Sequence, residues 1–106
     1  VKYAPNDPII LAGMGRAQLA AGQYKSAVKT LSKARDRDFR NASLLRDLAQ
    51  AYAKTNNLPM ASLVTAERYA LQGKLEDAKL HATRAAGQLP RGAPSWQRAQ
   101  DILSFK

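Results

Sequence analysis

The sequence predicts an all-α fold of six helices, packed as about three antiparallel hairpins. Apolar residues recur at helical spacing along almost the whole chain, and no strand-like alternation interrupts them. Alanine is abundant and β-branched residues are few, which favours helix over strand. Glycine, asparagine and proline divide the pattern into six segments joined by short turns. Short turns place successive helices side by side, so we expect hairpins.

The first three helices are bounded by local signals. Asp7 is a capping residue and Pro8 is a first-turn proline, so together they open the first helix. Gly22 ends that helix. Asn41 caps the third, which ends near Asn56 because asparagine tolerates the left-handed conformation of a helix-ending turn. The predicted spans are 8–21, 24–36 and 42–56.

Proline and glycine set the limits of the last three helices in the same way. Pro59 opens the fourth helix and Gly73 ends it, while the run 90–92 (Pro-Arg-Gly) follows the fifth. Pro94 opens the last helix, which ends near Ser104. The predicted spans are 59–73, 75–88 and 94–104.

Small residues and turn residues recur at a fixed period. Gly22 and Asn56 occupy equivalent turns 34 residues apart, and the pairs Gly15/Ala49 and Ala27/Ala61 repeat that spacing. A further step of 17 residues lands on Ala66, Gly73 and Ala78. The fourth helix is therefore predicted to be both the second helix of one hairpin and the first helix of the next.

This period and these residue types resemble the tetratricopeptide repeat. The family pattern has small residues where paired helices approach closely, a turn glycine, and a closing proline. The first repeat departs from it at Gln18 and Phe39, and the second at Thr65 and Arg68. The matching residues are Leu11, Met14, Gly15, Gly22, Ala27, Leu31 and Ala34 in the first repeat; Leu45, Leu48, Ala49, Tyr52, Asn56 and Ala61 in the second; and Ala66, Tyr69, Gly73, Ala78, Ala82, Ala85 and Pro90 in the shifted frame.

The resemblance implies a right-handed superhelical solenoid with three parts. Residues 1–7 are a lead-in, residues 8–90 hold the repeats, and residues 91–106 form a capping helix that contains Trp96. Within 8–90 the predicted units are 8–41, 42–73 and the half-repeat-shifted 58–90.

The tail carries a narrower resemblance. The run 94–103, Pro-Ser-Trp-Gln-Arg-Ala-Gln-Asp-Ile-Leu, is similar to the C-terminal tetratricopeptide region of secreted bacterial zinc metalloproteases related to the periplasmic beta-barrel-assembly-enhancing protease. This resemblance implies that the chain is part of a longer periplasmic protein with an N-terminal catalytic domain. The alternatives are a stand-alone tetratricopeptide adaptor, a cytoplasmic location, and a basic nucleic-acid-binding helical domain.

The composition excludes most site chemistry within these 106 residues. There is no cysteine, so disulfides, thiol nucleophiles, cysteine-based zinc sites and iron–sulfur clusters are ruled out. A zincin motif needs two histidines one helical turn apart, and His81 is the only histidine. Adjacent Glu76 and Asp77 point in different directions on a helix, so they make a poor acid–base pair. We therefore expect no catalytic residue, no metal and no cofactor in this chain.

The charge points to an acidic partner. The chain has 17 Lys and Arg against 8 Asp and Glu, a net charge of +9, and Lys25, Lys29 and Lys33 form one stripe. The charge is spread along the chain and tyrosines fall at packing positions, which does not favour nucleic acid. Uncharged runs are too short for a membrane-spanning helix. The predicted partner is a protein or peptide, acidic or an unfolded outer-membrane polypeptide, with the catalytic domain of the parent chain as a neighbour.

The family resemblance implies that the partner binds the concave groove formed by the first helix of each hairpin. The basic residues Arg16, Arg46 and Lys54 make this groove suited to carboxylates. The alternative is that these are ordinary exposed charges. The predicted groove positions are Ile9, Ala12, Arg16, Leu19, Ser43, Arg46, Gln50 and Lys54.

Overall fold

A computed structural model describes residues 7–105, and this part of the chain is all-helical with six helices. Each boundary lies within two residues of its predicted position, so the all-α prediction is confirmed. Among the described residues no helix is long and apolar enough to cross a membrane. Most of the predicted lead-in, residues 1–6, and Lys106 lie outside the described residues. The helices are α1 (Pro8–Ala20), α2 (Tyr24–Arg37), α3 (Ala42–Lys54), α4 (Leu58–Leu71), α5 (Leu75–Ala86) and α6 (Pro94–Leu103).

Side-chain caps fix three of the helix starts. The Asp7 carboxylate accepts a hydrogen bond from the Ile9 backbone N–H at 2.8 Å, and the Asn41 side chain accepts one from Leu44 at 3.1 Å. Asn57 caps α4 by accepting from the Met60 N–H at 3.3 Å. The fourth helix therefore begins one residue before Pro59, because Asn57 supplies the cap and Pro59 occupies the second position of the first turn.

Three turns repeat the same backbone geometry. Gly22, Asn56 and Gly73 have φ values of 78°, 61° and 79°, so each sits in the left-handed region. At each turn the next residue donates its N–H to a carbonyl five residues back, at 2.8 Å. These bonds end α1, α3 and α4. The 34- and 17-residue steps in the sequence thus correspond to equivalent turns in the fold.

The helices stack as hairpins that share α4. Each helix packs against the next along the chain, and α1 also lies against α3. In the second half α4 lies against α6, whereas α3 and α5 do not approach each other within the described residues. Contacts between helices two apart in the chain therefore occur for α1 and α3 in the first half and for α4 and α6 in the second half. The packing is that of a helical solenoid-like bundle, with α4 acting in two successive hairpins.

The interior is built from leucines and alanines. The main core joins α1 to α4 around Leu31, Leu45 and Leu48, and a second core joins Leu63 to Ala85 and Ala99. In α6 it is Ala99 that is fully buried, while Trp96 in the predicted cap is only half-buried. The capping helix thus contributes Ala99 to the second core, with Trp96 partly exposed on the same helix.

Complementary side-chain sizes allow the first hairpin to pack closely. Gly15 in α1 faces Leu31 in α2, and a Cβ at Gly15 would come closer than 3.0 Å to the leucine side chain. The same two positions in the shifted frame are held by Ala66 and Ala82, both fully buried. A leucine is accommodated in the first hairpin because its partner is glycine, and two alanines fill the equivalent position between α4 and α5.

One ion-pair network ties three helices together. Glu67 on α4 accepts from Arg35 on α2 at 2.7 Å and from both Nε and Nη2 of Arg98 on α6, at 3.0 and 2.5 Å. The side chains of Glu67, Arg35 and Arg98 are 15%, 19% and 26% exposed. Since these groups are largely withdrawn from water, the network fixes the relative positions of α2, α4 and α6.

Candidate partner-binding groove

The predicted groove is a shallow cavity between α1 and α3. Ala12 and Arg16 line it from α1, and Ser43 lines it from α3. Its volume is about 170 Å³. Since drug-sized ligands fill pockets of roughly 300–1,000 Å³, this cavity has room for a side chain of a larger partner and not for a whole small molecule.

Two exposed arginines share one buried carboxylate in this groove. Arg16 Nε donates to Asp47 Oδ2 at 3.2 Å, and Arg46 Nε lies 3.7 Å from Asp47 Oδ1. Asp47 is only 7% exposed, whereas both arginine side chains are more than half exposed. The Asp47 carboxylate therefore holds the two guanidinium groups at the groove surface. The net charge of Arg16, Arg46 and Asp47 together is therefore +1.

Asp47 was missed in the sequence-based prediction, although a signal for it exists. It falls on the apolar stripe of α3, between Leu44 and Leu48 and one turn before Ala51. A carboxylate at a core position of an amphipathic helix requires a cationic partner, because an unpaired buried charge is costly. Such a residue predicts a salt bridge even when its partner lies on another helix.

Of the remaining predicted positions, Ile9, Gln50 and Lys54 are exposed, and Leu19 is buried. Ile9 lies near the start of α1 and is exposed, while Gln50 is exposed one turn after Arg46. Lys54 lies at the far end of α3, where its ammonium nitrogen is 5.8 Å from the centroid of the Tyr24 ring. The structure therefore brings Ala12, Arg16, Ser43 and Arg46 together and places Lys54 apart from them.

Leu19 does not belong to the groove. It is 9% exposed and lies in the main core with Leu11 and Leu31. The position of Leu19 around the α1 axis explains its burial, since successive residues are about 100° apart. Leu19 lies roughly 40° from the centre of the buried stripe of α1, whereas Ile9 lies roughly 120° from it. The structure thus places Leu19 in the core and not at the groove surface, and its contact with a partner stays a prediction.

His81 lies in a structural setting. Its ring packs on the Tyr69 ring with centroids 5.4 Å apart, between α4 and α5. Burial lowers the pKa of His81, Arg84 and Arg68 lower that pKa further, and Asp77 partly opposes the shift. Across residues 7–105 no group of three or more metal-ligating side chains comes together.

The chain was also compared with known proteins. It matches no protein-family model and no curated protein sequence. The tetratricopeptide assignment and the likeness of the tail to the zinc protease family therefore stay predictions. The equivalent turns at Gly22, Asn56 and Gly73 are compatible with a helical repeat.

Proposed function

We propose that the chain is a non-catalytic interaction module that holds an acidic polypeptide segment along α1 and α3. The observation that carries the proposal is the pair of exposed guanidinium groups of Arg16 and Arg46, both held at the groove surface by buried Asp47. A guanidinium has five N–H donors, so each arginine keeps donors for a ligand while one nitrogen faces Asp47. Carboxylates of an extended segment match these donors in charge and geometry.

The same groove offers recognition without charge. Ser43 and Gln50 are exposed on α3 on either side of Arg46. Their side chains both donate and accept hydrogen bonds, as the backbone of an extended peptide requires. The arrangement favours a peptide whose acidic side chains contact the arginines and whose backbone contacts the neutral side chains.

We further propose the setting in which this module works, on the strength of the tail resemblance. The chain would be the C-terminal tetratricopeptide region of a periplasmic zinc-dependent protease, where it positions unfolded or outer-membrane substrates for the catalytic domain or docks an assembly partner. The alternative is a stand-alone tetratricopeptide adaptor. A reading frame that encodes a signal peptide and a His-Glu-x-x-His helix upstream of Val1 supports the protease setting, and one without them contradicts it.

The groove itself is tested with a fluorescent dodecamer of glutamate. Changing Arg16→Gln together with Arg46→Gln removes both charges while keeping polar side chains beside Asp47. We expect the affinity to fall by about tenfold, since each exposed pair contributes about 0.2–1 kcal/mol. The control is Arg37→Gln with Arg91→Gln, which removes two exposed arginine charges elsewhere. Equal affinities for the groove variant and the control, with unchanged helicity, would mean that the groove is not the binding site.

A further inference from the structure

A second basic surface lies where α2 begins and α3 ends. Two adjoining clefts of about 410 and 250 Å³ meet there, and Lys25 and Thr55 line both of them. Lys54 lines the first cleft and Lys29 lines the second. We call Lys25, Lys29 and Lys54 the lysine surface.

Among residues 7–105 the lysine surface differs from the two arginine pairs of the fold in having no carboxylate within ion-pair distance. Arg16 and Arg46 share Asp47, and Arg35 and Arg98 share Glu67. Within residues 7–105, by contrast, no carboxylate lies within 4.0 Å of the three lysine ammonium groups, and neither cleft is lined by an acidic residue. Three positive charges that border two clefts without compensation make a site for anionic groups.

The aromatic residues of this surface are already engaged, which favours an acidic polypeptide over nucleic acid. The Tyr52 hydroxyl lies 3.2 Å from the Ser32 hydroxyl, in hydrogen-bond contact across α2 and α3. The Tyr24 ring carries the Lys54 ammonium at 5.8 Å. Single-stranded nucleic acids bind by stacking bases on free aromatic faces, and these two rings instead pack on the protein core.

Lys54 connects the lysine surface to the groove. It is the last residue of α3, and the exposed positions Arg46 and Gln50 precede it on the same helix at intervals of one turn. From Ser43 to Lys54 the helix advances about 16 Å, a distance that an extended peptide covers in about five residues. The α2 residues Lys25 and Lys29 follow directly beyond Lys54 around the two clefts.

We propose that one acidic segment occupies both surfaces: it lies in the α1–α3 groove, passes Lys54, and turns around the end of α3 to reach Lys25 and Lys29. The inference rests on the proposed function, because the groove is its first half. It adds the length and path of the partner. The segment spans about eight to ten extended residues, with carboxylates near both of its ends.

Peptide length provides the test. Fluorescent oligoglutamates of four and twelve residues are titrated at 150 mM salt into the wild type, into Lys25→Gln/Lys29→Gln, and into Arg16→Gln/Arg46→Gln. We expect the dodecamer to bind the wild type about tenfold more tightly than the tetramer, since it adds two or more exposed ion pairs. Loss of Lys25 and Lys29 should abolish this gain, and loss of Arg16 and Arg46 should weaken the dodecamer as well.

A matched control separates a defined path from general attraction between opposite charges. Lys33→Gln with Arg37→Gln removes two exposed charges from the same helix, one to three turns away from Lys25 and Lys29. This control should keep the length dependence. If it lowers dodecamer affinity as much as Lys25→Gln/Lys29→Gln does, the continuous path is refuted.

The failure of the path and the failure of the proposed groove give different results. If the lysine variant alone behaves as the control does while the arginine variant weakens binding, the path is wrong and the groove stands. If the arginine variant binds like the wild type while the lysine variant does not, the groove and the continuous path both fall. A single-stranded oligonucleotide of twelve residues that binds more tightly than the glutamate dodecamer at 150 mM salt overturns the choice of partner.

Discussion

Replacing Glu67 by glutamine should cost much more stability than any exposed charge change in this chain. The substitution leaves Arg35 and Arg98 facing each other without their shared carboxylate, at 19% and 26% exposure. Removing one member of a fully buried pair costs about 3–5 kcal/mol, and the residual exposure here reduces the expected loss to about 2–3 kcal/mol. For a domain of this size that loss lowers Tm by roughly 10–20 °C. Urea titration followed by circular dichroism at 222 nm measures it.

The neighbouring Asp36 supplies a control on the same cation. Asp36 is 73% exposed and lies 3.6 Å from Arg35, so Asp36→Asn should change stability by less than about 0.5 kcal/mol. The triple variant Arg35→Leu/Glu67→Leu/Arg98→Met should recover most of the stability lost in Glu67→Gln, because three apolar side chains need no compensating charge. If Glu67→Gln costs no more than Asp36→Asn, Glu67 does not hold α2, α4 and α6 together.

Three further perturbations follow from the packing. Gly15→Ala should destabilise the fold by about 1–2 kcal/mol because the new Cβ overlaps the Leu31 side chain. Gly13→Ala, whose Cβ meets open space in the same helix, should stabilise the fold by about 0.5–1 kcal/mol. The opposite order of stability in urea titrations would contradict the close approach of α1 and α2 at Gly15. Trp96→Ala should cost about 1–2 kcal/mol, below the roughly 3–5 kcal/mol of a fully buried ring, and a Tm equal to wild type would show that α6 does not use the ring for packing. Burial and neighbouring arginines lower the pKa of His81 in the folded chain. Below about pH 6.5 the unfolded chain therefore binds the proton more readily than the folded chain, and the free energy of unfolding decreases as the pH drops. His81→Gln should remove this part of the pH dependence, and identical slopes for the two proteins between pH 7.5 and about 5.5 would contradict it.

The helix boundaries were predictable because their causes are local. Asp7, Asn41 and the left-handed turn residue Asn56 act on backbone groups within a few positions of themselves, so the sequence around each one suffices. The shared role of α4 was also visible, since the 34-residue period is followed by a step of half its length. These features require no knowledge of how one helix is rotated against another.

The side chains of the groove were harder to place for the opposite reason. The Arg16–Asp47 pair joins residues 31 positions apart, and the rotation of α1 toward α3 decides whether they meet. The same rotation carries Leu19 into the core, although the family resemblance had placed it among the groove positions. The ion pairs of Glu67 were hard to predict for the same reason, because Arg35 and Arg98 belong to helices that lie before and after α4 in the sequence.

The double use of α4 affects how the chain unfolds. In a simple helical array each unit contacts only its neighbours, so the ends open first and the middle persists. Here α4 packs on α3, α5 and α6, and its Glu67 also reaches α2. Opening the C-terminal helices therefore removes contacts from the helix that closes the first half. We expect amide hydrogen exchange to report one cooperative opening shared by α2, α4 and α6, instead of progressive fraying from the ends.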